Sequence, residues 1–224
     1  MKLERVKTKS LRALIYEQLK EKIMSGEIKP GEELSLRMLA DKLGVSLMPV
    51  REAVWQLESD KILIVRNNRG IKVNTLTSAE MNEALHLRYV LEAEAATLSC
   101  KRRKSDEIVS DLENILVQME DKECSPREFL ELNYDFHFTL YSCAESPMLI
   151  DLIEKLWARI TPYKFIHITS REDLSITPAK SFHREMLNFF IKRDAKSLTA
   201  VLYEDIHNPA SGLITQMEDE TDNE

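Results

Sequence analysis

Apolar residues recur along this chain at helical spacing and in short continuous runs, and the short runs end near residue 74. Before that point, two short segments repeat apolar residues at helical spacing, on faces formed by Leu36, Leu39, Ala40 and Leu43 and by Val50, Ala53, Val54 and Leu57. Two short apolar runs, 62–65 and 71–73, follow and predict strands. Gly44 suits the sharp end of a helix, and Asn67-Asn68-Arg69-Gly70 favours a hairpin turn.

The second of these helices carries the residues that say most about what the first half of the chain does. Ser46 can cap its start, and Pro49 fits the first turn, where a missing N–H is no loss. Arg51 lies off the apolar face, near the exposed N-terminal end. Two helices, a tight turn and a hairpin with a basic tip predict a winged helix-turn-helix, which places its second helix in a DNA major groove. The alternative is a small helical domain with ordinary surface arginines, and the basic tip argues against it.

Beyond residue 76 the pattern is helical throughout. Six amphipathic segments begin at helix-start signals, namely Thr77, Ser105, Ser125, Pro147, Thr177 and Asp194. We therefore predict a mainly α protein, with an N-terminal winged helix-turn-helix that has a small β-hairpin wing and a C-terminal antiparallel all-α bundle of about six to seven helices. The predicted domains are residues 1–75 and 76–217, followed by an acidic tail, 218–224. The longest predicted loop is 172–176.

Composition and charge agree with two dissimilar halves. Residues 1–74 hold 15 Lys or Arg against 10 Asp or Glu, a net charge of +5, whereas residues 75–224 carry 16 against 28, a net charge of −12. A basic front half suits phosphate binding. No apolar run is long enough for a membrane helix, and the N-terminus lacks a signal-peptide core, so we expect no membrane association. Three scattered cysteines indicate reduced thiols and a cytoplasmic location.

Several polar residues of the helical half have metal-ligating chemistry. Asn133 precedes His137 by four residues, so both lie on one helical face, and His183, Asp205 and His207 follow. Imidazole is the commonest protein ligand for transition metals, often with a carboxylate beside it. The alternative is that these histidines are ordinary core or surface residues.

Arg88 and Glu92 form a second candidate, because they are also four residues apart. Such a pair is usually a solvated helix pair of small energy. If the pair is buried, Arg88 could instead hold an organic anion through a forked hydrogen bond.

These motifs resemble a known family. Residues 10–74 resemble the winged helix-turn-helix of the GntR bacterial transcription regulators, through segments 26–34, 39–46, 49–53 and 68–70. Residues 77–208 resemble the ligand-binding helical domain (FCD type) of the FadR branch of that family, through Arg88 with Glu92, Asn133 with Phe136-His137, and His183 followed by Asp194. The resemblance implies a homodimer that binds double-stranded DNA at a short palindromic operator and responds to a small metabolite.

The resemblance also implies a metal site. Many relatives hold a divalent transition metal, such as zinc or nickel, with one Asp and three His, and the metal helps to bind a carboxylate effector. The matching positions are Asn133, His137, His183 and Asp205, so the usual Asp is an amide here and the last His is a carboxylate. His207 is two residues away from that position, about 200° round a helix. Arg88, Glu92, Arg159 and Tyr163 are the candidate effector contacts.

For DNA, the resemblance implies a set of reading and positioning residues: Arg37, Ser46, Leu47, Met48, Pro49, Arg51 and Arg69. The family has an arginine directly after Ser46, where this chain has Leu47. A base contact worth roughly 1–3 kcal/mol is therefore missing, and Leu47 and Met48 can instead touch a thymine methyl group.

The expected function is that of a ligand-responsive transcription regulator and not an enzyme, most simply a repressor of metabolic or transport genes that a carboxylate metabolite releases. One alternative is a metal-dependent enzyme on a helical bundle with a DNA-binding appendage, in which His137, His183 and Asp205 hold the metal. Against it, the sequence has no nucleophile motif and no phosphate-binding glycine loop. A second alternative is an architectural DNA-binding protein that needs no metabolite.

Overall fold

The structure is a computed structural model and describes residues 10–66, 70–102, 106–121, 123–169 and 177–222. The chain forms two compact units, Met1–Thr75 and Leu76–Glu224. The helices and strands of the first unit, in chain order, are α1 Leu11–Met24, β1 Glu33–Leu34, α2 Leu36–Leu43, α3 Leu47–Ser59, β2 Leu63–Arg66 and β3 Gly70–Val73. This is the predicted helix-turn-helix followed by a β-hairpin.

The hairpin belongs to a three-stranded antiparallel sheet in the order β1-β3-β2. The sequence predicted β2 and β3 but not β1, because two residues cannot display a strand period. At Gly70 the φ angle is +91°, and an added Cβ would lie 3.0 Å from the carbonyl oxygen of Leu34. Glycine is therefore needed where β3 approaches β1. The predicted hairpin tip, residues 67–69, lies outside the described residues.

The turn between α2 and α3 follows the prediction in one respect and departs from it in another. Gly44 adopts a left-handed φ of 65° and ends α2, as expected. Ser46 is the residue before α3, but its side chain makes no capping hydrogen bond, so the prediction of a Ser46 cap is wrong. The predicted inner face of α3 is correct, because Val50, Ala53, Val54 and Leu57 are all buried.

The second unit is helical across its described residues, which confirms the predicted mainly α fold. Its helices are α4 Ser78–Arg102, α5 Glu107–Glu120, α6 Pro126–Ser142, α7 Pro147–Thr169, α8 Thr177–Lys192 and α9 Ala195–Asp222. Thr77 with Glu80 and Ser125 with Glu128 form the two predicted capping boxes. Helix α9 reaches Asp222, within the segment assigned to an acidic tail, and Ser105 and the loop 172–176 lie outside the described residues.

The core of this bundle is apolar except for a group of buried polar and charged side chains. Residues such as Met81, Leu112, Phe136 and Leu202 are fully buried. In the part of the bundle that the structure describes, the buried polar or charged residues are Arg88, Glu92, Ser99, Asn133, His137, His167, His183 and Asp205. Since polar groups are costly to bury without partners, these residues are where a function of the bundle is expected.

Candidate functional site

Three of the predicted metal ligands come together inside the bundle. His137 on α6, His183 on α8 and Asp205 on α9 each offer one ligand atom, and these atoms lie within 4.8 Å of one another. The two Nε2 atoms are 3.2 Å apart, and His137 Nε2 is 3.2 Å from Asp205 Oδ2. All three side chains are buried. Helices α6, α8 and α9 therefore meet at a cluster of two imidazoles and one carboxylate, which we call the His–His–Asp cluster.

A hydrogen-bond chain connects this cluster with the buried Arg88–Glu92 pair. Arg88 Nε donates to Glu92 Oε1 at 2.6 Å, and Trp157 Nε1 donates to the same oxygen at 2.8 Å. The Tyr141 hydroxyl donates to Glu92 Oε2 at 2.8 Å and lies 3.0 Å from His137 Nδ1. Side chains from α4, α6 and α7 thus form one continuous polar network around Glu92.

The charges of Glu92 and Tyr141 follow from their surroundings. Burial alone would raise the pKa of Glu92, but the charge and hydrogen bond of Arg88, with help from His137 and Tyr141, lower that pKa below its ordinary value of 4.5. Burial and the neighbouring Glu92 charge raise the pKa of Tyr141 well above 10.0. Glu92 is therefore an ionised acceptor, and Tyr141 is a protonated donor.

These two states determine which nitrogen of His137 carries a proton. Tyr141 gives its only proton to Glu92, so its oxygen must accept a hydrogen bond from His137 Nδ1–H. With Nδ1 donating to Tyr141, Nε2 is the ring nitrogen that remains to bind a proton or a metal ion, and it faces His183 and Asp205. A lone pair held towards a carboxylate oxygen is repulsive unless a cation or proton lies between them.

The donor set fits a bound transition metal. Two ligands bonded to one tetrahedral zinc ion at about 2.0–2.1 Å lie about 3.3 Å apart. Two separations in the His–His–Asp cluster are 3.2 Å, and the third, from His183 Nδ1 to Asp205 Oδ1, is 3.8 Å. Burial alone would raise the pKa of Asp205, but the charge of His183 and the charge and hydrogen bond of His137, with Lys164 adding a smaller effect, lower it, so the carboxylate is ionised. The hydrogen bond from His137 Nδ1 to Tyr141 is the outer contact that commonly orients a histidine ligand.

The other members of the predicted site lie at different positions. Asn133 is buried one helical turn before His137 on α6. His207 lies outside the cluster, where its ring stacks on Tyr203 and its Nδ1 donates to the Tyr203 carbonyl oxygen. This agrees with the predicted rotation of His207 away from the cluster.

Arg88 is 1% exposed and Glu92 is fully buried, so the pair is not the usual solvated one. The guanidinium of Arg88 lies over the Trp157 ring, 4.1 Å from its centroid. Lys164, which the sequence analysis did not identify, places its Nζ 6.0 Å from the same ring. Burial and the Arg88 charge lower the pKa of Lys164 to about 8, against the opposing effect of Asp205 and Glu92.

Two predicted effector contacts on α7 are less closely connected with the cluster. The Tyr163 hydroxyl accepts a hydrogen bond from the backbone N–H of Leu76 at 2.5 Å. The Nε of Arg159 is buried and has no hydrogen-bond partner among the described residues. An unsatisfied buried guanidinium nitrogen is costly, so it needs an acceptor that this part of the chain does not supply.

Sequence reasoning missed Tyr141, Trp157 and Lys164. Tyr141 follows His137 by four residues on α6, the same spacing that identified the other candidates, so a signal for it was present. Trp157 was assigned to an apolar helix face and Lys164 was not considered, and only the packing of α7 against α4 brings them beside Arg88.

The predicted DNA contacts that the structure describes lie mainly on the surface of the first unit. Arg37 on α2 and Arg51 on α3 are exposed, as are Ser46, Leu47 and Met48, whereas Pro49 is partly buried. Arg69 lies outside the described residues.

None of the described helices is both long enough and apolar enough to cross a membrane.

A helix-turn-helix with an exposed second helix, followed by a helical bundle with a buried polar centre, is the architecture of a two-domain bacterial regulator. Sequence comparison supports this class for both units. Residues 11–73 match the profile "Bacterial regulatory proteins, gntR family", and residues 83–208 match the profile "FCD domain". The chain therefore belongs to the GntR family and carries an FCD domain.

Individual relatives are transcription regulators. The HTH-type transcriptional regulator McbR of Escherichia coli (strain K12) is 29% identical over 160 residues, which are 70% of this chain and 72% of McbR. The Nta operon transcriptional regulator of Aminobacter aminovorans is 31% identical over 148 residues, 66% of this chain and 70% of that protein. The solved structure of E. coli McbR/YncC has the same fold, with a TM-score of 0.85 at 24% identity over 93% of this chain and 99% of the other.

Proposed function

We propose that this protein is a metabolite-responsive transcription repressor that acts in the cytoplasm as a homodimer on a short palindromic operator. The observation that carries the proposal is the His–His–Asp cluster, a buried polar centre joined by hydrogen bonds to Arg88 in a chain that also has a helix-turn-helix. The role of the cluster is binding and not catalysis, since relatives that match this chain are named transcriptional regulators.

DNA binding uses the exposed face of α3. In each subunit α3 lies in a major groove, and Leu47, Met48 and Arg51 at its N-terminal end face the base edges. Arg51 donates two hydrogen bonds to a guanine edge. Arg37, Ser46, Pro49 and Arg69 contact or position the DNA around this helix.

In the helical unit, His137, His183 and Asp205 hold a divalent transition metal such as zinc or nickel, and Asn133 adds a neutral oxygen. When bound, the metal supplies a Lewis acid to which a carboxylate effector can bind. Lys164 adds positive charge near Asp205, and Glu92 orients Arg88 and balances its charge. Arg159 and Tyr163 on α7 are further contacts for the effector. A small carboxylate therefore meets a site of complementary charge.

Effector binding changes DNA affinity by favouring one of two arrangements of the dimer. The cluster residues come from α6, α8 and α9, so an effector that pulls on the cluster shifts the packing of three helices at once. A ligand shifts an equilibrium only by its difference in affinity for the two states. We propose that the effector-bound state holds the two α3 helices at a spacing that does not match the operator.

Replacing both His137 and His183 by alanine is expected to abolish binding of stoichiometric metal. Two of the ligands are lost, and Asp205 alone cannot hold a transition metal in competition with a weak chelator. Metal content is measured by elemental analysis after incubation with zinc or nickel and gel filtration. Equal metal content in parent and double variant would refute the site.

Two further variants separate the cluster from general effects of histidine loss. His207→Ala removes a histidine of α9 that lies outside the cluster, and we expect unchanged metal content. Asn133→Asp adds a charged ligand, and we expect affinity for zinc to rise by about tenfold or more, since affinity follows ligand charge. Unchanged zinc affinity in Asn133→Asp would exclude residue 133 from the metal site.

A further inference from the structure

Helix α3 has three large apolar side chains on the surface. Leu47 is 42% exposed, Met48 is 59% exposed and Trp55 is 53% exposed. Successive residues of a helix are rotated by about 100°, so these three residues and Arg51 fall within one arc of about 100°. We refer to Leu47, Met48 and Trp55 as the outer strip.

The middle of the outer strip lies about 120° round the helix from the middle of the face that holds the first unit together. Val50, Ala53, Val54 and Leu57 form that inner face and are at most 1% exposed. Through it α3 packs against α1, α2 and β2. The exposed parts of the outer strip face away from this core, and three large exposed apolar side chains within one arc of a 13-residue helix indicate a binding surface.

Charge indicates what this surface binds. The outer strip is interrupted by the exposed Arg51, and residues 1–74 carry a net charge of +5. The major groove of DNA offers negative charge together with one apolar group on its base edges, the C5-methyl group of thymine. An apolar strip beside an arginine on a basic domain is complementary to a major groove that contains both guanine and thymine.

Trp55 extends this contact further along the groove than the N-terminal residues reach. It follows Arg51 by four residues, which is about 6 Å along the helix axis, or about two base-pair steps. An indole ring presents a large apolar area and has few rotamers to lose on binding. Trp55 can therefore cover a methyl group that Arg51, Leu47 and Met48 do not reach.

We infer that Trp55 is a base-reading residue of this regulator and that, with Leu47 and Met48, it recognises thymine through the C5-methyl group. The inference rests on the proposed function, because α3 must enter the major groove. It predicts operator half-sites that hold thymine about two base pairs from the base that Arg51 reads.

The test compares thymine with uracil, which differs only in lacking the C5-methyl group. Duplexes that the full-length protein retains from a random library are resynthesised with deoxyuridine in place of every thymidine. We expect the affinity of the parent protein to fall about fourfold for each contacted methyl group, which corresponds to about 0.8 kcal/mol. Trp55→Ala should bind the thymine duplex more weakly and show a smaller ratio between thymine and uracil duplexes.

The same ratio in the parent and in Trp55→Ala would overturn the inference, while retention of no duplex at all would instead refute the proposed function. Val117→Ala is the matched control, because Val117 is an apolar residue on α5 that is 60% exposed. This variant should keep the ratio of the parent.

Fluorescence gives a readout that does not depend on affinity. The chain has two tryptophans, of which Trp55 is 53% exposed and Trp157 only 4%. Acrylamide should quench Trp55 in the free protein, and addition of the selected duplex should protect it. Protection already present without DNA would mean that protein covers the outer strip, which would contradict the inference.

Discussion

Arg51→Ala is expected to reduce the affinity of the protein for its selected duplex by at least about thirtyfold. Arg51 is exposed on α3, beside Leu47 and Met48, and we propose that it donates a pair of hydrogen bonds to guanine. A bidentate contact to a base contributes about 1–3 kcal/mol, so the two copies in a dimer contribute about 2–6 kcal/mol, at least about thirtyfold in affinity. Titration of labelled duplexes at one fixed salt concentration measures this loss.

Arg51→Lys is the matched control, because lysine keeps the charge but loses the planar fork that recognises guanine. We expect this variant to lose preference for the selected duplex while retaining the salt-dependent binding to random DNA. Circular dichroism should show an unchanged fold for both variants, as Arg51 has no part in the buried face of α3. Undiminished preference in Arg51→Ala would exclude Arg51 from base reading.

Glu92→Gln is expected to lower the free energy of unfolding of the helical unit by about 3–5 kcal/mol. Glutamine has nearly the same volume, but it leaves the buried guanidinium of Arg88 without a counter-charge. Glu92 also accepts hydrogen bonds from Tyr141 and Trp157, and the amide nitrogen of glutamine cannot accept them. Urea unfolding followed by circular dichroism measures the change.

The chain offers a matched control for this substitution. Arg127 and Glu131 form an ion pair with the same four-residue spacing on α6, but their side chains are 49% and 64% exposed. Glu131→Gln should change the free energy of unfolding by no more than about 0.5 kcal/mol, because water solvates both charges. Equal effects of the two substitutions would contradict the role we give to burial.

Two further measurements can test whether Glu92→Gln lowers stability because the charge of Arg88 is left unpaired. Arg88→Met combined with Glu92→Gln should be more stable than Glu92→Gln alone, since the uncompensated cation is gone.

Because the folded chain lowers the pKa of Glu92 below 4.5, the contribution of Glu92 to stability is present above about pH 4.5 and is lost as the pH falls. The difference between parent and Glu92→Gln should shrink in acid.

The sequence predicted α2, α3, β2 and β3 because each has a local signal, whereas α1 was not predicted. The apolar spacing of α2 and α3 and the glycine at position 44 depend on residues close together in the chain. Strand β1 had no such signal, since Glu33 and Leu34 are extended only through their pairing with Lys72 and Ile71 on β3. The missing cap at Ser46 is likewise a matter of side-chain geometry that residue type alone does not determine.

In the helical unit, the sequence left open whether the Arg88–Glu92 pair is buried. Spacing places both side chains on one helix face, but it does not show what covers that face. In the structure Trp157 from α7 and Tyr141 from α6 cover it, and both are distant in sequence. Similarly, resemblance proposed His137, His183 and Asp205 as ligands, whereas only the meeting of α6, α8 and α9 gives their separations.

Our central claim is that this protein binds a specific DNA sequence, and selection from genomic DNA tests that claim most directly. Fragmented DNA from the host is incubated with the purified protein, and the retained fragments are sequenced against the input. We predict enrichment of one short palindrome, upstream of transport or catabolic genes, that contains guanine for Arg51 and thymine for Trp55. Retained fragments with the same sequence content as the input would contradict the account.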